Sequence, residues 1–124
     1  MTKRILVVED QEDLRGVLRD LFINSGYTVI EAADGKTGVA TAKSDRPDII
    51  LMDIQMPIID GYEATRQIKA DPNLKSIPIV AVSSFAMKGD EEKARAAGCD
   101  EYVTKPYSPI QLLRIIRGYL GDNA

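Results

Sequence analysis

Four stretches of this chain run into residues able to carry chemistry. Ile5-Leu6-Val7-Val8 leads into Glu9 and Asp10, and Ile49-Ile50-Leu51-Met52 leads into Asp53. Ile79-Val80-Ala81-Val82 leads into Ser83 and Ser84, and Glu101-Tyr102-Val103-Thr104 leads into Lys105 and Pro106. Crowded carboxylates repel, so their ionised forms need compensation. A hard divalent cation and a lysine supply it. Mg2+ takes a few carboxylate or carbonyl oxygens and keeps several waters. Asp10 and Asp53 with one backbone carbonyl suit that preference, and Glu9 reaches the ion through one of its waters. Asp53 then keeps an oxygen free to attack phosphorus, while Mg2+ and Lys105 neutralise the phosphoryl charge. Transfer of this kind rests on positioning and electrostatic stabilisation. Taken singly, each feature has a plainer reading: a solvated Glu-Asp turn, Asp53 as a cap before Met56-Pro57, Lys105 as a surface charge. Their joint appearance carries the argument.

For these side chains to meet, the stretches before them must be neighbouring strands. The three apolar runs are continuous rather than alternating, which suits strands buried on both faces of a parallel sheet. Thr28-Val29-Ile30-Glu31-Ala32 and Glu101-Tyr102-Val103-Thr104 are shorter or more polar, which places them at the sheet edges. Helical patterns lie between. Leu14, Val17, Leu18, Leu21 and Phe22 share one face at 3.6-residue spacing, with Gly26 beyond to end the helix. Thr37 to Lys43, Gly61 to Ala70 and Glu91 to Ala97 are further helices, the last stopped by Gly98. Ser108, Pro109 and Gln111 predict a cap, a first helical residue and a reciprocal capping partner. Leu112, Leu113, Ile116 and Leu120 follow as that helix's apolar face. Strand and helix alternate five times, so the fold class is α/β. It is a doubly wound five-stranded parallel sheet with helices on both faces. The edge assignment gives the order 2-1-3-4-5 of flavodoxin-like and CheY-like folds. In such sheets ligands bind beyond the carboxyl ends of the strands, where the acids, hydroxyl and lysine fall.

Composition excludes several classes. The 124 residues suffice for one domain, residues 1–124, with a real core. A net charge of −3 argues against a nucleic-acid surface. The absence of His removes the commonest general base and transition-metal ligand. With a single cysteine, Cys99, no internal disulfide forms, and a small buried core residue is the expected role. The apolar run that starts at Ile5 stops at Glu9, too short for a signal-peptide core or a membrane span. The cytoplasm is the expected location.

At these residues the sequence resembles the receiver family of two-component response regulators, from Lys3 to about Leu120. The matching motifs are Val7-Val8-Glu9-Asp10, Leu51-Met52-Asp53-Ile54-Gln55-Met56-Pro57, Asp60-Gly61, Ala81-Val82-Ser83-Ser84, Gly98-Cys99-Asp100 and Thr104-Lys105-Pro106. The stretch from Phe85 to Glu92 further resembles DivK-like single-domain regulators. The resemblance implies that Asp53 accepts a phosphoryl group from the histidine of a sensor kinase or of a histidine phosphotransfer protein. It implies that Glu9 and Asp10 form the Mg2+ pocket, with the backbone carbonyl of Gln55 as a further ligand. Ser83 takes the hydroxyl switch position, Lys105 contacts the phosphoryl oxygens, and Tyr102 takes the aromatic switch position. The Lys105-Pro106 bond is expected to be cis. Gln55 and Phe85 flank the path of the hydrolytic water. Phe85 offers no hydrogen bond there, so slow self-dephosphorylation is expected. No output domain follows the last helix, so signalling by contact with a downstream protein target is expected.

Two other functions fit the fold less well. A Mg2+-dependent phosphatase working through an aspartyl-phosphate usually carries a second Asp two positions after the nucleophile, where this chain has Gln55. A flavin carrier needs a phosphate loop after the first strand, where Glu9-Asp10-Gln11-Glu12-Asp13 would repel it. A phosphoacceptor that assists its own phosphorylation and dephosphorylation is expected, rather than an enzyme. Met52, Met56 and Met87 are read as packing residues, and Tyr62, Tyr107 and Tyr119 as amphipathic surface fillers. Arg114 and Arg117 are read as solvated.

Overall fold

The computed structural model describes residues 2–56, 58–83 and 89–121. The element order is β1 (Arg4–Val8), α1 (Glu12–Asn24), β2 (Thr28–Ala32), α2 (Gly35–Asp45), β3 (Ile49–Asp53), α3 (Gly61–Ala70), β4 (Ile79–Ser83), α4 (Asp90–Ala97), β5 (Glu101–Thr104) and α5 (Pro109–Leu120). All strand pairs are parallel, and the sheet runs β2-β1-β3-β4-β5. The expected alternation, order and edges are all present.

The continuous apolar runs have a simple cause. Successive side chains of a strand point to opposite faces, and each face of this sheet has its own core. Leu6, Val8, Ile50, Met52, Ile79 and Ala81 face one side, against Val39 and Ala42 of α2, Ala64 and Ile68 of α3, and Ala94 and Ala97 of α4. Ile5, Val7, Ile49, Leu51, Val80 and Val82 face the other, against Leu18 and Phe22 of α1 and Leu112 and Ile116 of α5. A strand covered on both sides has no solvent-facing position for a polar residue, so polarity begins where cover stops, at the strand ends. β5 lies at an edge, where Glu101 and Tyr102 are half-buried.

Local chemistry sets the helix boundaries. Asp34 accepts from Thr37 N at 2.7 Å and Asp60 from Glu63 N at 2.9 Å, each capping its helix. Ser108 accepts from Gln111 N at 3.3 Å, with Pro109 at the first helical position. The reciprocal bond expected from the Gln111 side chain is absent among the described residues. Gly98 ends α4 at φ +113°, a conformation that favours glycine.

Four packing expectations need correction. Val17, read on the buried face of α1, is 60% exposed because Leu18 and Phe22 hold the centre of that face and leave it at the margin. Tyr62, read as a surface filler, is buried against the α2–α4 core with Lys93 Nζ 4.8 Å from its ring centroid. Tyr107 is half-buried, and its hydroxyl is enclosed. Arg117 is also half-buried, with its Nε enclosed and without a hydrogen-bond partner among the described residues. Cys99 is buried as expected, and burial pushes its thiol up to about 11. Met52 lies in the core and Met56 packs against it, whereas Met87 lies outside the described residues.

Candidate functional site

The described residues include four buried polar or charged side chains, Glu9, Asp53, Thr65 and Ser83. Three of them are site residues named from the sequence, each on or directly after the end of a different strand. Glu9 N donates to Ala32 O at 3.0 Å, which carries the β1–β2 ladder one residue past β1 and holds the acid below the surface. Asp53 closes β3, opposite Val82, and Ile54 N donates to Val82 O at 2.9 Å. Ser83 closes β4, and Lys105 N donates to its carbonyl at 2.7 Å, which fixes where the lysine leaves the sheet. The Lys105-Pro106 bond is cis.

Carboxylate oxygens of Glu9, Asp10 and Asp53 lie within 4.8 Å of one another, with Asp10 exposed and the other two buried. Lys105 Nζ sits between the buried pair, 3.3 Å from Glu9 Oε1 and 3.5 Å from Asp53 Oδ1. Backbone donors finish the cradle: Gln11 N reaches Glu9 Oε2 at 3.1 Å and Gln55 N reaches Asp53 Oδ1 at 3.3 Å. Burial first, and then the Glu9 charge, push the Asp53 carboxyl up from 3.8 to about 7. Lys105 and the Gln55 N–H pull the other way without prevailing. Negative charge at this point is therefore undercompensated, and a divalent cation suits the oxygens gathered there.

Three contributions to the site, from residues named or not, were not visible from the sequence. Arg15, one turn into α1, donates through Nη1 to Glu9 O at 2.9 Å and through Nε to Glu31 Oε1 at 3.3 Å. It thereby ties the acid-bearing turn to β2. Gly61 is the second: a Cβ there would lie 2.4 Å from Asp53 O and 2.7 Å from Ile54 Cα, so only glycine lets α3 start against the end of β3. The Asp60-Gly61 pair was part of the motif, but its reason is this approach. The third is Tyr107, whose enclosed hydroxyl has no hydrogen-bond partner among the described residues. Burial, then the Glu9 and Asp53 charges, push its phenol up to about 12. A Tyr two residues after Lys105 could have signalled a second inward-pointing position.

Tyr102 is half-buried on β5, in register with Ala81. Gln55 reaches Ser83 with its side chain, Nε2 donating to Oγ at 2.9 Å. Ser84 and Phe85 lie outside the described residues, as does Pro57.

Residues 5–117 match the response regulator receiver domain. This chain belongs to the receiver family. Over 122 residues the receiver is 45% identical to the polar-differentiation response regulator DivK of Brucella ovis, spanning 98% of this chain and 99% of DivK. DivK of Brucella melitensis is equally similar. Among solved structures, the receiver domain of the sensor histidine kinase PA1611 from Pseudomonas aeruginosa superimposes with a TM-score of 0.90 at 38% identity, covering 98% of this chain and 99% of that one. That structure holds a magnesium ion coordinated in its active-site cleft. The chemotaxis protein CheY4 of Vibrio cholerae also superimposes with a TM-score of 0.90, at 26% identity and 96% coverage of this chain and 99% of that one. The receiver is thus a two-component response regulator whose acid pocket is consistent with a phosphoacceptor site. No helix among the described residues is long and apolar enough to cross a membrane.

Proposed function

We propose that the receiver, acting as one unit over residues 1–124, takes a phosphoryl group on Asp53. The donor is the phosphorylated histidine of a sensor kinase or a histidine phosphotransfer protein. An Asp53 carboxylate oxygen attacks phosphorus, the O–P bond forms, the N–P bond breaks, and its electron pair returns to the donor imidazole. One observation supports this most: Asp53 is buried at a strand end, within 4.8 Å of two further acids and 3.5 Å from Lys105. Glu9, Asp10 and Asp53, with the backbone carbonyl of Gln55, would hold Mg2+. That ion neutralises phosphoryl charge when bound. Lys105 supplies the second cation and Ser83 a hydrogen bond to the phosphoryl oxygens. Electrostatic stabilisation aimed at charge already in place costs little reorganisation during transfer.

The Ser83 bond gives the phosphorylated state an interaction that the resting state lacks, and such a difference is what shifts a two-state equilibrium. Tyr102, on the edge strand, is the residue we expect to report it to a downstream protein. Cytoplasmic placement follows from the kinase partner. Phosphoacceptance, not turnover of a substrate pool, is the activity: the position two after Asp53, where a phosphatase of this type needs an acid, holds Gln55.

Incubation with Mg2+ and acetyl phosphate should add one phosphoryl group, acid-stable and base-labile, read by intact mass. Asp53→Asn should take up none while keeping the fold, and equal labelling of that variant would refute the assignment. Decay after donor removal should be slow, and faster in Phe85→Ala. A well-placed group that orients the hydrolytic water is worth about 10²-fold, and Phe85 offers no such group. Unchanged decay would place control of the lifetime elsewhere.

A further inference from the structure

A buried phenol hydroxyl needs a protein partner, because solvent no longer serves it. The Tyr107 hydroxyl is enclosed and has none among the described residues. Tyr107 stands between two hollows. On its outer side it borders an apolar groove with Leu14, Val17 and Leu21 of α1 and with Pro106. On its inner side it lines a small cavity shared with Glu9 and Asp53 and walled by Val7, Leu51 and Val82. That cavity is too narrow to admit a water, so a bridging molecule has no room between the hydroxyl and the acids. Glu9 itself is 3% exposed, and two donors reach its carboxylate: Gln11 N at 3.1 Å from Oε2 and Lys105 Nζ at 3.3 Å from Oε1.

We infer that Tyr107 is a positioning residue for the phosphorylated state: its hydroxyl becomes the hydrogen-bond donor to the Glu9 carboxylate when Lys105 leaves Glu9 for a phosphoryl group on Asp53. The inference rests on the reading of Asp53 as acceptor and of Lys105 as the cation on its phosphoryl oxygens. An ammonium drawn onto those oxygens gives up Glu9 Oε1, and a buried carboxylate that loses its partner is costly. A phenol O–H can donate to a carboxylate without transfer of the proton. Tyr107 brings an enclosed hydroxyl, unpartnered among the described residues, to the very cavity that Glu9 lines. The acid charges already act on it: after burial, Glu9 and then Asp53 push the phenol up. Glu9 is the acceptor rather than Asp53, because Asp53 gives an oxygen to phosphorus while Glu9 only loses a donor. An unpaired hydroxyl raises the energy of the resting state and a paired one lowers that of the phosphorylated state, and a difference of this kind shifts the equilibrium between them.

Tyr107→Phe removes the hydroxyl and keeps the ring that separates cavity from groove. Beryllofluoride with Mg2+ stands in for the phosphoryl group, and fluorine NMR on the full chain follows its binding. Tyr107→Phe should bind it about tenfold to a hundredfold more weakly, the range of a hydrogen bond to a charged group. Urea midpoints near pH 8, without beryllofluoride, give a readout that packing alone would not move. In the wild-type background Tyr107→Phe should raise the midpoint, since it removes an unpaired buried hydroxyl. In a Lys105→Met background, where Glu9 has already lost its ammonium, the same change should lower it. That reversal should persist when Asp53→Asn is added, because Glu9 is the acceptor. A change of the same sign with and without Lys105, or a reversal that vanishes with Asp53→Asn, overturns the inference. If beryllofluoride binds wild type and Asp53→Asn alike, the acceptor reading falls and the inference with it. If binding depends on Asp53 but Tyr107→Phe matches wild type, the role of Tyr107 alone is refuted.

Discussion

Asp53→Asn replaces an ionisable group by a neutral one of the same shape at the most crowded point of the site. In the folded protein, burial and the Glu9 charge hold the Asp53 carboxyl at about 7. In the unfolded chain it titrates near 3.9, the ordinary value for Asp. Between these values the folded state keeps a proton that the unfolded state has released. Stability therefore falls as pH rises from about 4 to about 7, and the loss persists above. Each pH unit is worth about 1.36 kcal/mol, so roughly three units set a ceiling of about 4 kcal/mol on the cost of ionising Asp53 without a cation. A neutral amide at this position would escape that cost at every pH. The variant should thus exceed wild type in stability in EDTA, and its margin should widen by about 2–3 kcal/mol between about pH 5 and about pH 8. Urea unfolding followed by far-ultraviolet circular dichroism at both pH values measures the margin. Magnesium should narrow it near pH 8, since a ligand of the folded state stabilises by mass action. A margin that is the same at both pH values, or a variant less stable than wild type near pH 8, would refute the account of Asp53 as a carboxyl raised by burial and repulsion.

Two further outcomes follow from the same geometry. Lys105→Met removes the cation lying 3.3 Å from Glu9 and 3.5 Å from Asp53. It should destabilise by about 3 kcal/mol near pH 8, the lower end for a broken buried pair. The cost should be less near pH 5, where Asp53 holds its proton, and the same urea curves read it. Gly61→Ala would place a Cβ 2.4 Å from Asp53 O and 2.7 Å from Ile54 Cα, both backbone atoms that cannot rotate away. It should cost about 2–3 kcal/mol by overpacking and slow acetyl phosphate labelling of Asp53, because the end of β3 must move.

Much of the architecture was legible because burial on two faces leaves a plain mark. Runs such as Ile49–Met52 are apolar at every position, and the first polar residue after each marks where the covering helices stop. The two strands with polar residues proved to be the edges for the same reason. Helix limits were less legible. The expected helix from Thr37 begins two residues earlier, at Gly35, because Asp34 caps it, and Gly38 fits inside it against Val8. A glycine is needed at position 38 because a Cβ there would lie 2.9 Å from a methyl of Val8, where the helix lies against the sheet. In the site, positions at strand ends could be read directly, since topology alone brings them together. The contacts of Arg15, Tyr107 and the Gln55 amide could not be read. Each depends on the direction of a long side chain, which spacing along the chain does not determine.

Glu9 and Lys105 meet across 96 residues of sequence. A chain synthesised from its amino end presents all three acids well before the lysine that compensates them. Until β5 pairs with β4 there is no ammonium between Glu9 and Asp53, and the hydroxyl of Ser83 lies on an unprotected edge. On the proposed chemistry, competence to react is acquired last, when the sheet is complete. On the same chemistry, a receiver cut short before its fifth strand would keep Asp53 without Lys105, and unfinished or clipped copies should take up little phosphate.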